Sequence, residues 1–114
     1  LNKLFGIGVF EYPLNPAYFH FKRKLTRFII KDYNKPFLVS ELQAEPWATV
    51  DFRGLSVEEQ FKIFGPEYFR KTIEYAQKTG FNEYYLWGAE WWYWLKEKQN
   101  EPVMWEEAKK LFSI

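Results

Sequence analysis

Three carboxylates stand close to tryptophans in this chain. Glu41 and Glu45 lie in Ser40-Glu41-Leu42-Gln43-Ala44-Glu45-Pro46-Trp47, directly after the apolar run Phe37-Leu38-Val39. Glu90 follows Trp87 in Tyr84-Tyr85-Leu86-Trp87-Gly88-Ala89-Glu90-Trp91-Trp92-Tyr93-Trp94. Paired carboxyl groups do acid–base and nucleophilic work when their surroundings hold them in different protonation states. Polar donors keep one ionised, and burial or a like charge keeps the other protonated. Indole rings beside them offer a flat apolar face on which a ring-shaped substrate can stack. Each residue also has a plain structural use. Glu41 could cap a helix or pair with a Lys, Glu45 could hold an Arg, Glu90 could anchor a loop, and the tryptophans could fill a core.

The acids need elements that position them. An apolar strand that delivers a carboxylate at its C-terminal tip is how parallel α/β folds present reactive groups. The run at 37–41 reads as such a strand, apolar throughout as if both faces were covered. A second strand is expected at about 83–87, ending in Trp87. If the first strand ends later than Glu41, Glu45 becomes the carboxylate at its tip.

Between and around these strands the sequence marks helices. Asn15-Pro16 is a helix start, with Asn as cap and Pro in the first turn. Over 16–33 the apolar face is Tyr18, Phe21, Leu25, Phe28 and Ile29, opposite Lys22, Arg23, Lys24, Arg27 and Lys31, which reads as a solvated face. Ser56-Val57-Glu58-Glu59 is a capping box that opens a helix at Val57. Gly65-Pro66 interrupts it, and Phe69, Ile73 and Ala76 form a buried stripe in the segment that follows, which stops at Lys78-Thr79-Gly80. The Trp-rich stretch after Trp87 reads as a loop. Asn100-Glu101-Pro102 opens a last helix with Met104, Ala108, Leu111 and Phe112 on its inner face. Residues 4–12 fit either a strand or an irregular loop. The order helix, strand, helix, strand, helix implies α/β architecture with parallel strands.

At 114 residues the chain has room for one domain, residues 1–114. Hydrophobic residues at 47% and charged residues at 27% fit a globular protein. The net charge of +1 gives no field that would draw in nucleic acid or an anionic membrane. Without Cys, disulfides and thiolate metal sites are excluded. His20 has no partner at metal-ligand spacing and reads as structural. No apolar run reaches the roughly 20 residues needed to span a bilayer. The start at Leu1, without Met, reads as the interior of a longer protein or a gene fragment, so the compartment is not legible; an extracellular or cell-envelope location would need a signal further upstream.

The apolar strand followed by Ser40-Glu41, then a helix, then a strand ending Leu86-Trp87-Gly88, resembles the last two βα units of the clan A retaining glycoside hydrolases. These are (β/α)8 (TIM) barrels related to cellulases, mannanases and β-galactosidases. The resemblance covers roughly residues 36–113. It implies that this chain holds the C-terminal βα units of an incomplete barrel, and that the missing N-terminal barrel units are its partner. It further implies a carbohydrate substrate, no cofactor and no metal. Glu41 matches the nucleophile at the end of the seventh strand, and Trp87 matches the Trp that ends the eighth and floors the sugar subsite. Relatives often carry a cis peptide after this Trp, which here would be Trp87-Gly88. Tyr12 stands by order where relatives donate a hydroxyl to the nucleophile. The acid/base of the clan, a Glu ending the fourth strand, would lie upstream of Leu1.

Retaining hydrolysis requires two carboxyl groups roughly 5–5.5 Å apart, one attacking the anomeric carbon and one protonating the leaving oxygen. Glu41 would attack. Glu45 and Glu90 would bind sugar hydroxyls, and Trp47 and Trp91 are the further tryptophans expected in the cleft. Two other readings remain: a carbohydrate-binding barrel without catalysis, and a small aromatic-rich interaction domain that folds alone or as an oligomer.

Overall fold

The computed structural model describes residues 2–4, 7–9, 14–48 and 50–112. Its centre is a parallel pair of strands, β3 (Leu38–Gln43) and β4 (Glu83–Trp87). Ahead of it, β1 (Asn2–Leu4) and β2 (Ile7–Val9) pair antiparallel as a separate ribbon. Five α-helices, α1 (Pro16–Ile30), α2 (Val57–Ile63), α3 (Pro66–Lys78), α4 (Ala89–Lys98) and α5 (Val103–Phe112), and a short 3-10 turn at Phe52–Gly54 complete the elements of the described residues. The fold is thus a small mixed α/β domain whose parallel strands are each followed by helices.

The helix ends follow their local chemistry. Asn15 accepts from the Ala17 N–H and Pro16 occupies the first turn of α1. Ser56 and Glu59 form a reciprocal capping box on α2. Gly65-Pro66 separates α2 from α3 as the sequence implied. One element departs from expectation. The Trp-rich stretch is the helix α4 rather than a loop, and Glu90 therefore stands in a helical first turn.

The core lies between β4 and the last four helices. It comprises Phe64, Phe69, Trp91, Trp92, Leu95, Met104 and Ala108, with Ala44 from the end of β3. Two indoles are tied inside it. Trp91 Nε1 donates to Gln60 Oε1 at 2.8 Å, and Gln60 donates onward to the Leu55 carbonyl at 2.9 Å. Trp92 Nε1 donates to the Ala44 carbonyl at 2.7 Å. Each bond satisfies buried polar atoms whose desolvation would otherwise oppose folding.

Three expected burials fail. Leu38 is exposed, so β3 is not covered on both faces. In α5, Met104 and Ala108 are buried but Leu111 and Phe112 are not. The apolar face of α1 (Tyr18, Phe21, Leu25, Phe28, Ile29) is exposed along its length. The helix packs instead through its other side. Phe19 meets Tyr75 and Phe81 edge-on, Arg23 donates to the Gly80 carbonyl and approaches His20, and Arg27 donates to the Lys35 carbonyl and lies over the Phe37 ring. The basic face is therefore only partly solvated, because Arg23 and Arg27 are drawn into the packing by backbone acceptors and an aromatic ring.

Candidate functional site

The parallel pair is bulged where the candidate acid sits. Val39 lies opposite Tyr84 and Leu42 opposite Leu86, so Ser40 and Glu41 together face the single residue Tyr85. A bulge of this kind re-aims side chains and is common beside functional sites. By the two-residue period of a strand, Glu83, Tyr85 and Trp87 share one face of β4, and all three are exposed. Tyr84 and Leu86, on the other face, are half-buried against the helices. Ser40 and Glu41 are exposed as well. The open face of the sheet therefore carries Glu41 opposite Tyr85, with Trp87 at the next same-face position toward the C-terminal rim. Among the described residues the Glu41 side chain takes no hydrogen bond or ion pair, so neither the capping nor the Lys-pairing alternative is realised there.

The strand starts one residue later and runs two residues further than expected, ending at Gln43 beside Trp87. This leaves Glu45 just past the tip. The rim is knitted tightly: the Ala44 N–H donates to the Trp87 carbonyl at 2.8 Å, and the Gln43 side chain donates to the Glu45 carbonyl at 2.9 Å. The Trp87-Gly88 peptide is trans, not cis, and the turn into α4 is made instead by Gly88 at φ 149 and ψ 6. Gly88 sits hard against Ala44 and Glu45; a Cβ there would be 2.6 Å from the Ala44 carbonyl carbon and 3.1 Å from Glu45 Cβ.

Glu45 is the one acid at this rim with a distinctive environment. Burial pushes its carboxyl above the ordinary glutamate value, and the nearby Glu90 carboxylate pushes the same way. Hydrogen bonds from the side chains of Trp47 and Trp87 oppose this by stabilising the ionised form, the Trp47 bond more strongly. Trp47 and Trp87 are each 52% exposed. Among the described residues Glu45 forms no ion pair with an Arg or any other cation.

Of the residues singled out by sequence, the structure brings Glu45, Trp47, Trp87 and Glu90 together at the rim and puts Glu41 on the adjoining open face. Trp91, expected in the cleft, is instead a core residue at 1% exposure; α4 turns it inward onto Gln60. Tyr12 lies outside the described residues. Tyr85, between Glu41 and Trp87 on the open face, was not singled out, although the alternation through 83, 85 and 87 marks it. Its hydroxyl donates to Glu83 at 3.0 Å. No group of three metal-ligating side chains occurs among the described residues, and among them no helix is long and apolar enough to cross a membrane. A cavity between the start of α1 and α3, lined by His20, Lys71, Glu74 and Tyr75 among others, contains none of the candidate acids or tryptophans.

Comparison with known proteins finds no significant match. No family model, no curated protein and no solved structure matches this chain. Any functional reading therefore rests on the geometry of the open sheet face and its rim.

Proposed function

We propose that this chain forms the C-terminal βα units of a retaining β-glycan hydrolase built on a (β/α)8 barrel, with Glu41 as nucleophile and Trp87 as the floor of the sugar subsite. One observation carries the reading: Glu41 and Trp87 lie at neighbouring positions on the same open face of a parallel strand pair, at its C-terminal end. That C-terminal end is where a parallel barrel assembles its reactive groups.

In this mechanism a Glu41 carboxylate oxygen attacks the anomeric carbon as the glycosidic C–O bond breaks. The departing oxygen takes its proton from the acid/base of the upstream units. Water, deprotonated by that same residue, then cleaves the glycosyl ester and regenerates Glu41. Trp87 stacks under the pyranose, where the negative face of the ring meets slightly positive C–H groups. Glu45 and Glu90 lie near each other at the rim, and in this reading they line the sugar subsite while the upstream units supply the proton donor.

The test uses the protein in which this chain is joined to its upstream units. A 2-deoxy-2-fluoro aryl β-glycoside should trap a glycosyl ester, and peptide mapping should place it on Glu41. Glu41→Gln should abolish turnover of the matching aryl glycoside. A label on another residue, or undiminished turnover by the variant, removes Glu41 from the nucleophile role. Sugar binding without trapping or turnover would favour the non-catalytic carbohydrate-binding barrel.

A further inference from the structure

The helix α1 leaves uncovered the stripe that a crossover helix normally lays on its sheet. It leads into β3 and packs beside α3, where Phe19 meets Tyr75 edge-on and the Tyr75 hydroxyl donates to the Leu14 carbonyl. α1 and α3 therefore form one helical layer. A strand–helix–strand unit with parallel strands is right-handed in nearly all cases, so two such units whose helices share a layer advance across the sheet in the same direction. The unit through α2 and α3 advances from β3 to β4. The strand that belongs before α1 must then lie on the edge of β3 away from β4, and among the described residues that edge is free. The stripe Tyr18, Phe21, Leu25, Phe28 and Ile29 is exposed, although an amphipathic helix turns such a stripe toward a core. From Tyr18 to Ile29 the helix rises about 17 Å. β3 has six residues and extends about 20 Å, so one strand laid along it would match the stripe in length.

We infer that β2 is the occupant of this dock: Ile7–Val9 adds to the free edge of β3 as a parallel strand and lies under the apolar stripe of α1. β2 is the last described strand before α1, and residues 10–15 join the two, a connection of the length that strand-to-helix turns take. Pairing with β1 occupies one edge of β2 and, among the described residues, leaves the other free. The docking therefore joins two unpaired rows of N–H and C=O groups and breaks no strand pairing. Ile7-Gly8-Val9 carries no charge, as suits a parallel strand covered by a helix. The placement follows from the hand of the crossover and goes beyond the hydrolase reading, which turns on Glu41 and Trp87.

The test uses the 114-residue chain, which has no native Cys. One cysteine replaces Ile7 or Val9 and a second replaces Leu38, Val39 or Ser40. Each pair is offered a thiol cross-linker just long enough to bridge neighbouring strands, which lie about 5 Å apart. At least one pair should cross-link within a single chain, while the same β2 cysteines paired with one at the exposed Tyr93 of α4 should not. Separately, Leu25→Cys in the middle of the stripe should react with a maleimide about tenfold more slowly than Lys24→Cys, an exposed neighbour off the stripe, because the docked strand must open before the thiol is reached. If the paired variants do not fold, the two single-cysteine rates decide alone. Equal rates at the two positions overturn the docking, and so does the lack of an intrachain link from every folded β2–β3 pair. Links formed only between two chains overturn it as well and assign the stripe to a second copy. Failure here is distinct from that of the hydrolase reading: a chain that links β2 to β3 but never forms a glycosyl ester keeps the docked strand and loses the nucleophile.

Discussion

Gly88→Ala tests whether the rim is as closely built as its geometry requires. At φ 149 the Gly88 backbone lies where residues with a side chain are strained. Such positions cost about 1–3 kcal/mol. The added methyl would also overlap the Ala44 carbonyl, lying 2.6 Å from its carbon and 3.1 Å from Glu45 Cβ. These neighbours are backbone and a Cβ, not the far end of a flexible side chain. They cannot swing aside without breaking the Ala44 N–H to Trp87 carbonyl bond or the Trp92 to Ala44 bond. Overpacking of this kind costs about 1–3 kcal/mol more. The two contributions together come to about 2–6 kcal/mol, which for a domain of this size lowers Tm by about 8–25 °C. The assay is a thermal melt followed by near-ultraviolet circular dichroism, which reads the packed indoles directly. Gly54→Ala is the control. A Cβ at Gly54 meets nothing within 4 Å, so that variant should stay within about 0.5 kcal/mol of the parent. A Gly88→Ala protein melting within a degree or two of the control would show that the rim has slack and refute its close packing around Ala44.

Two further outcomes are expected. Trp91→Phe removes the donor to Gln60, whose side chain is wholly buried, and leaves its oxygen unpaired; urea unfolding should show a loss of about 1–3 kcal/mol, and Gln60→Leu added to it should cost less than the sum of the single changes. Glu45→Gln should change the pH dependence of stability. Because the folded-state value of Glu45 lies above its unfolded value, the folded protein binds more protons than the unfolded chain between the two. Stability from this group is complete below the unfolded value and is lost as pH rises through the folded one. The neutral Gln variant therefore gains more in Tm, relative to the parent, at pH 7 than at pH 3.5; an equal gain at both values would contradict the sign.

Much of the frame was legible because it is written in local chemistry. The Asn15-Pro16 start, the Ser56–Glu59 box and the Gly65-Pro66 break each specify backbone geometry within a few residues, and each is found. The strand at 83–87 was legible for the same reason, bounded by Gly80 and Gly88. What failed depends on contacts distant in sequence. Trp91 and Trp92 read as loop residues because aromatic runs carry no helix period of their own; only Gln60 and the Ala44 carbonyl, supplied by other elements, fix them in a core helix. The place of Glu45 at the rim next to the Trp87-Gly88 turn was hidden by a two-residue difference in where β3 ends. That difference is set by the bulge at Ser40-Glu41, which no local pattern announced.

The exposed apolar surfaces bear on the barrel reading as a set. Leu38, Tyr85 and Trp87 are exposed on the strand pair, and Phe21, Phe28 and Ile29 are exposed on α1. Among the described residues the parallel pair has two strands, so each has one edge with no neighbour in its sheet. Unpaired edges and open apolar faces of this extent are what a self-sufficient domain avoids. The Cα radius of gyration, 16.3 Å, exceeds the roughly 13 Å expected of a compact domain of this length. On the proposed barrel these features would be covered by further units. One sheet face would look into the barrel, the edges would accept further strands, and the outer helix would cover one of those strands with the face it now leaves open. A freestanding interaction domain would instead have to bury the same surfaces against copies of itself. The two alternatives differ in concentration dependence, because self-burial requires association whereas completion by upstream units leaves one chain in one barrel.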